Sequence, residues 1–199
     1  MKPRPLITHM DICAVEAQME SLWIGRGKRV AELEARMAAW VGVKYSVAFG
    51  SGTAALTVAL LNDRRHIYVS VPDLPGCDAL HVAVRAAGKR EGSLSDLRIT
   101  IYPERGDQIE DFARHLPREG ETRLIGRFGV FSFGALKDVT GGIGGCLVSH
   151  DPIYRADQWK LLSPLSDINA ALILSQLDRY EGHTRTRLVA DGKTWESPA

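Results

Sequence analysis

Cysteine is scarce in this sequence. Cys13, Cys77 and Cys146 stand far apart and form no Cys-x-x-Cys pair. That scarcity excludes a disulfide framework and a paired-cysteine zinc site, and it points to a reducing cytosol. Long apolar runs are missing too: none approaches the roughly 20 residues that span a bilayer. The start, Met1-Lys2-Pro3-Arg4-Pro5-Leu6, has no apolar core of a secretory signal. Nor is there an excess of either charge. Lys+Arg is 25 and Asp+Glu is 24, giving a net charge of +1. A nucleic-acid binder would show a basic excess. The chain also lacks internal repeats and low-complexity segments. The composition therefore leads us to expect a cytoplasmic protein with no membrane, nucleic-acid or metal partner.

What remains is an ordinary globular composition. The 199 residues are 45% hydrophobic and 25% charged, enough to bury one sizeable core. Asp11 is a candidate helix cap, with Ile12, Val15, Met19 and Leu22 at helical spacing behind it. A second helix is predicted over 28–41, with Val30, Leu33, Met37 and Trp40 on one face. Lys44–Phe49 is predicted as a buried strand, and Ala54–Leu61 as a helix of good formers. His66–Val71 and Asp78–Ala87 repeat the strand–helix order, which implies an α/β fold with a largely parallel sheet. The stretch 88–125 is the least regular, with a strand predicted at Leu97–Tyr102 and a helix at 107–115. Further strands are expected at Val130–Phe133 and Cys146–Ser149, and an apolar helix at Asp167–Leu177. The tail from Gly182 is polar and is expected to be poorly ordered.

Three motifs bear on chemistry. Gly50-Ser51-Gly52-Thr53 lies between a strand and a helix. Such a junction presents unpaired N–H groups at the positive end of a helix dipole, a seat for phosphate. It serves equally as a tight turn with a Ser/Thr cap. The same residues satisfy Gly-x-Gly-x-x-Ala through Ala55, and Asp73 follows the next strand, so a nucleotide-binding module stays open. Lys137 follows Ser132-Phe133-Gly134-Ala135-Leu136 and precedes a loop containing Gly141, Gly142, Gly144 and Gly145. A lysine there is either a Schiff-base nucleophile or an ordinary solvated side chain. Ile109-Glu110-Asp111 offers a carboxylate that would keep a pyridine nitrogen protonated, or simply acids on a helix face.

The order of these pieces, closed by Ser166-Asp167-Ile168-Asn169-Ala170-Ala171 and Gln176-Leu177, resembles the DegT/DnrJ/EryC1/StrS aminotransferases. That resemblance runs from Ile12 to Arg187 and is most specific over Gly25–Leu61. It implies a fold-type-I aminotransferase-like large domain over 1–187, with a mainly parallel central sheet and helices on both faces. It implies too that the small C-terminal domain is missing and that 188–199 form a polar tail. It also implies pyridoxal 5′-phosphate as cofactor. Lys137 would form the internal aldimine, Asp111 would face the pyridine nitrogen, and Gly52, Thr53 and Ser132 would hold the phosphate. The implied reaction moves an amino group from a donor such as Glu or Gln to a keto-sugar nucleotide, in a homodimer or beside a related subunit.

Departures from the pattern support a different expectation, a non-catalytic homologue acting as a structural or partner subunit. Gly76 stands where the family carries a ring that stacks on the cofactor. Asp111 is followed by Phe112, Ala113 and Arg114 rather than by two small residues and then Gln, His or Glu. Leu162 and Pro164 replace an Asn and an Arg that a partner chain commonly receives. Between Gly88 and Asp111 the family has additional strand and helix units, where only about one strand fits here.

Overall fold

In the centre of the molecule, alternate residues of each strand point into two different cores. A computed structural model describes residues 7–72, 74, 76–92, 97–106 and 108–180. It also describes the backbone of strands at 186–188 and 194–196. Strand β1 (Tyr45–Phe49) sends Val47 and Phe49 to one side and Ala48 to the other. Strand β6 (Phe128–Ser132) divides Phe128 and Val130 from Phe131, and β7 (Gly145–Ser149) divides Leu147 from Cys146 and Val148. Apolar residues on both faces require helices on both faces.

Those helices are present. On one side α3 (Gly52–Asn62) and α4 (Asp78–Ala86) bring Leu56, Leu60, Leu80 and Val84. On the other side α2 (Lys28–Trp40) and α6 (Asp167–Leu177) bring Leu33, Met37, Ile173 and Leu174. The predicted apolar face of α2 is wholly buried, Val30, Leu33, Met37 and Trp40 included. A short helix, α5 (Ala156–Leu162), buries none of its residues. No helix among the described residues is long and apolar enough to cross a membrane.

The remaining strands are short: β2 (Tyr68–Val69), β3 (Arg90–Glu91), β4 (Ile99–Ile101) and β5 (Ile109–Asp111). The main sheet has the order β1-β7-β6-β5-β4. A parallel bridge between Ser70 and Arg98 continues it into the parallel pair β2-β3. Within this sheet, among the described residues, only β7 runs against its neighbours. The central sheet is thus mainly parallel, with helices on both faces.

Two expectations change here. The stretch 107–115 holds no helix among its described residues, because Ile109–Asp111 pairs with β4 on one side and β6 on the other. Both β3 and β4 fit between Gly88 and Asp111, where one strand was expected. What is short is the connections: β4 reaches β5 through Tyr102–Gln108, and β5 reaches β6 through Phe112–Arg127, with no helix among the described residues. Parallel neighbours usually need a crossover of about a dozen residues, commonly helical.

A buried carboxylate takes over that role. Glu110 is fully buried and accepts from Arg105 Nε at 2.5 Å and from the N–H groups of Ile125 at 3.0 Å and Gly126 at 3.3 Å. Arg105 also reaches Thr122 Oγ1 and the carbonyl of Arg123. One ion pair therefore fastens both short connections to β5.

The first helix, α1 (His9–Glu20), differs from its reading as well. Its cap is Thr8, not Asp11. Asp11 and Gln18 are buried, whereas Ile12 and Met19 are exposed, as is Leu22 beyond the helix. The cause is a polar seam against α6: Asp11 Oδ1 accepts from Ser175 Oγ at 2.8 Å and from Arg179. The apolar stripe of α1 therefore faces outward. Beyond α6, Thr186–Leu188 (β8) and Thr194–Glu196 (β9) pair antiparallel.

Candidate active site

One row of the sheet assembles the site. Gly145 of β7 is the register partner of both Phe49 and Ser132. The turn after β1 and the end of β6 therefore flank the same residue. A Cβ on Gly145 would lie 2.4 Å from Gly52 N and the Ser51 carbonyl. Only glycine lets the start of α3 cross β7 this closely. On the next strand, Asp111 pairs with Val130, two residues before Ser132. Gly52, Thr53, Asp111 and Ser132 thus all lie at the carboxyl ends of strands that run the same way, where open α/β sheets bind their ligands.

Gly52 packs directly on Ser132. A Cβ at Gly52 would lie 2.8 Å from Ser132 Cβ and 3.1 Å from its Oγ. Ser51 caps α3 by accepting from Ala54 N at 3.1 Å. Thr53 is half-buried in the first turn, and its carbonyl accepts from Thr57 Oγ1. Gly52→Ala is expected to destabilise the fold by about 1–3 kcal/mol, because β6 must shift to admit a methyl group. Urea unfolding measures this, and a variant as stable as the parent would contradict the close packing.

Lys137 stands on a turn just past β6, with its N–H donating to Gly134 O at 3.0 Å. The loop carrying it is held from α6. Gln176 accepts from Thr140 N at 2.9 Å and donates to Thr140 O at 2.8 Å, and Asn169 donates to Gly141 O at 2.8 Å. Sequence reading used Asn169 and Gln176 only as parts of a pattern. A glutamine within an apolar helix was the available sign of this anchoring role.

Lys137 and Ser132 line one cleft together with Phe112, Arg114, Phe131 and Asp138. The cleft is shallow: its enclosed space is about 10 Å³, room for about one water, and the rest is open to solvent. Its back wall is the stacked pair Phe112–Phe131, with ring centroids 4.8 Å apart.

Asp111 is 7% exposed and accepts from Ala113 N at 2.8 Å. Burial raises its carboxyl above the usual range, against that hydrogen bond and the charges of Lys137 and Arg114, which favour ionisation. Above the folded pKa the ionised form costs stability, and the cost fades as pH falls through that value. Asp111→Asn is therefore expected to raise the melting temperature of the cofactor-free protein at pH 8. The advantage should vanish in acid. A variant that melts below the parent at pH 8 would contradict this.

The positions of the departures are equally clear. Gly76 is exposed, and a Cβ there would lie 3.6 Å from an Arg114 Nη. Leu162 is 76% exposed at the end of α5. Pro164 is exposed, and its carbonyl lies 3.3 Å from where a Gly50 Cβ would be. Asp73 lies outside the described residues. The strand before Gly-x-Gly-x-x-Ala is an edge strand hydrogen-bonded to antiparallel β7. A dinucleotide fold places that strand inside a parallel sheet, so the topology opposes the nucleotide-module reading.

The sequence model of the DegT/DnrJ/EryC1/StrS aminotransferase family matches residues 5–69. Solved structures match almost the whole chain. Helicobacter pylori PseC, an aminotransferase involved in the biosynthesis of pseudoaminic acid, superposes with a TM-score of 0.72 at 16% identity, over 90% of this chain and 65% of its own. DesI, solved in the presence of its TDP-sugar product, gives 0.71 at 20% identity, over 89% of this chain and 59% of its own. The aminotransferase TlmJ from Streptoalloteichus hindustanus gives 0.72 at 22% identity, over 90% and 66%. This chain therefore spans about two thirds or less of the length of these relatives. The shared fold is that of the fold-type-I aminotransferases.

Proposed function

We propose that the chain, which carries the sequence signature of the DegT/DnrJ/EryC1/StrS aminotransferases over residues 5–69, holds pyridoxal 5′-phosphate through Lys137 and moves an amino group to a keto-sugar nucleotide. The observation that carries this reading is the convergence of a phosphate-type turn, a serine hydroxyl, an amine and a buried carboxylate at one end of the sheet. The residues fit the group chemically. The first turn of α3 at Gly52 and Thr53, with the Ser132 hydroxyl, suits a phosphate. Asp111 is the carboxylate with which a protonated pyridine nitrogen would pair, and such a cation would offset the burial that disfavours its charged form. The Lys137 amine suits the aldehyde.

When bound, the cofactor supplies an electron sink. The chain's own contribution is positioning and proton transfer. Lys137 Nζ, held on its turn by the α6 anchors, takes a proton from the substrate carbon and returns it, with Glu or Gln as the expected donor. The Phe112–Phe131 wall keeps one side of the cleft dry, which strengthens the pull between Asp111 and a cation.

Purified protein mixed with pyridoxal 5′-phosphate should gain visible absorbance. Borohydride should then fix the cofactor on Lys137, as read by peptide mapping. Absence of both signals would end this reading.

A second reading is a non-catalytic partner subunit. It is favoured by the outward apolar face of α1 and by exposed Leu161 and Leu162. It would bind the cofactor without discharging it to any amino donor, or bind none, and would form a homodimer or pair with a related chain.

A further inference from the structure

Two arginines and a tyrosine gather at the end of the sheet opposite the cleft. Gly145, at the cleft end of β7, pairs with Phe49 and Ser132, whereas Ser149 at its other end pairs with Tyr45 and Phe128. Tyr154 lies just beyond Ser149 and is 47% exposed. Its backbone is pinned from both sides. The Tyr154 N–H donates to Asn62 Oδ1 at 2.7 Å, at the end of α3, and its carbonyl accepts from Trp159 Nε1 at 3.1 Å, on α5. The guanidinium carbon of Arg64 lies 3.9 Å from the centre of the Tyr154 ring, and that of Arg155 lies 5.1 Å from it. Both guanidiniums act on the Tyr154 hydroxyl and lower its pKa, hydrogen bonding from Arg64 most of all.

Among the described residues, neither arginine forms an ion pair. The acids nearest in sequence are committed elsewhere: Asp63 to His66 and Lys89, Asp151 to Arg127, and Asp157 to Lys160. The phenol therefore orients the two guanidiniums without neutralising them. A guanidinium lying on a ring uses its flat face, so its N–H donors stay available at the rim. Arg155 also holds a left-handed backbone, with φ 54°, a conformation that disfavours any residue with a Cβ. Strain of this kind collects at functional sites. We propose that Arg64 and Arg155 form a surface site for a diphosphate group. Each planar fork matches two oxygens of one phosphoryl group, so two forks suit two linked phosphoryl groups. Both residues are exposed, so the group reaches them directly from solvent. The site is independent of Lys137 and of any cofactor there.

The test uses the full chain with two probes, pyrophosphate and UDP, against a chloride background of matched ionic strength, because exposed charges are screened by salt. Binding is read by calorimetry. Arg64→Ala and Arg155→Ala should each weaken pyrophosphate binding by about tenfold or more. Arg64→Lys should recover only part of it, since an ammonium lacks the paired donors. Arg155→Gly should lose binding as Arg155→Ala does while melting no lower than wild type, because glycine suits the left-handed backbone. Tyr154 itself gives a local readout. Its ionisation, taken as the ultraviolet titration of wild type minus that of Tyr154→Phe, should move to higher pH when pyrophosphate offsets the two cations. Arginine-dependent binding that is tighter for UDP assigns the group to a nucleotide, and binding no tighter for UDP assigns it to free diphosphate. Unchanged affinity in either alanine variant, or a Tyr154 ionisation that pyrophosphate does not move, overturns the proposal. The borohydride adduct at Lys137 should be the same in wild type and in all these variants, so this inference and the cofactor reading fail separately.

Discussion

Lys137→Ala should abolish the reduced cofactor adduct altogether, a larger change than any other substitution at the site. The amine is the bond-forming group, so no neighbour in the cleft replaces it: Arg114 offers a guanidinium and Ser132 a hydroxyl, neither of them a primary amine. The fold should be nearly indifferent. Lys137 is half-buried, and its N–H···O contact with Gly134 belongs to the backbone. Substitutions of this kind usually fall within about 0.5 kcal/mol. Lys137→Arg sharpens the test. It keeps a positive charge near Asp111 and removes the reactive amine, so it too should give no adduct. Mass mapping after borohydride reads the result. A surviving adduct in either variant moves the chemistry to another lysine and removes the basis for the proposed site.

The largest expected effect on stability lies elsewhere, at Glu110. Gln has the same shape but carries no charge, so Glu110→Gln leaves Arg105 without its counter-ion. It also weakens the hydrogen bonds from Ile125 and Gly126. Breaking a buried ion pair on one side costs about 3–5 kcal/mol. Arg105 keeps about 29% of its side chain in solvent, which favours the lower end. About 3 kcal/mol corresponds to a fall in melting temperature of about 10 °C for a chain of this size. Arg105→Met should cost a similar amount by stranding the carboxylate. The double variant Glu110→Gln, Arg105→Met should cost clearly less than the sum of the two. Additive costs would show that the pair does not fasten the connections.

Legibility in the sequence followed the range of the interactions. The Gly50–Thr53 junction and the buried face of α2 depend on neighbours within a few residues, and both were readable. The stretch around Asp111 was ambiguous because Glu and Asp are poor strand formers. Pairing with β4 and β6 overrides that local preference. The α1 stripe misled for a related reason. Its polar seam is made with Ser175 and Arg179, far along the chain, and nothing near Asp11 announces those partners. Strands of two or three residues, such as β3, are too short to show a period. Arg114 was visible only as an odd residue after Asp111, since its place in the cleft depends on where Gly76 falls.

The placement of β1 also governs the order in which the chain can be built. Its hydrogen-bonding neighbour in the sheet is β7, which the ribosome makes about a hundred residues later. The segment bearing the family signature, residues 5–69, therefore leaves the exit tunnel with an apolar strand that has no ladder to join. Until 145–149 emerges, Val47 and Phe49 can shelter only against helices, so the early third of the chain carries an unpaired strand edge during synthesis.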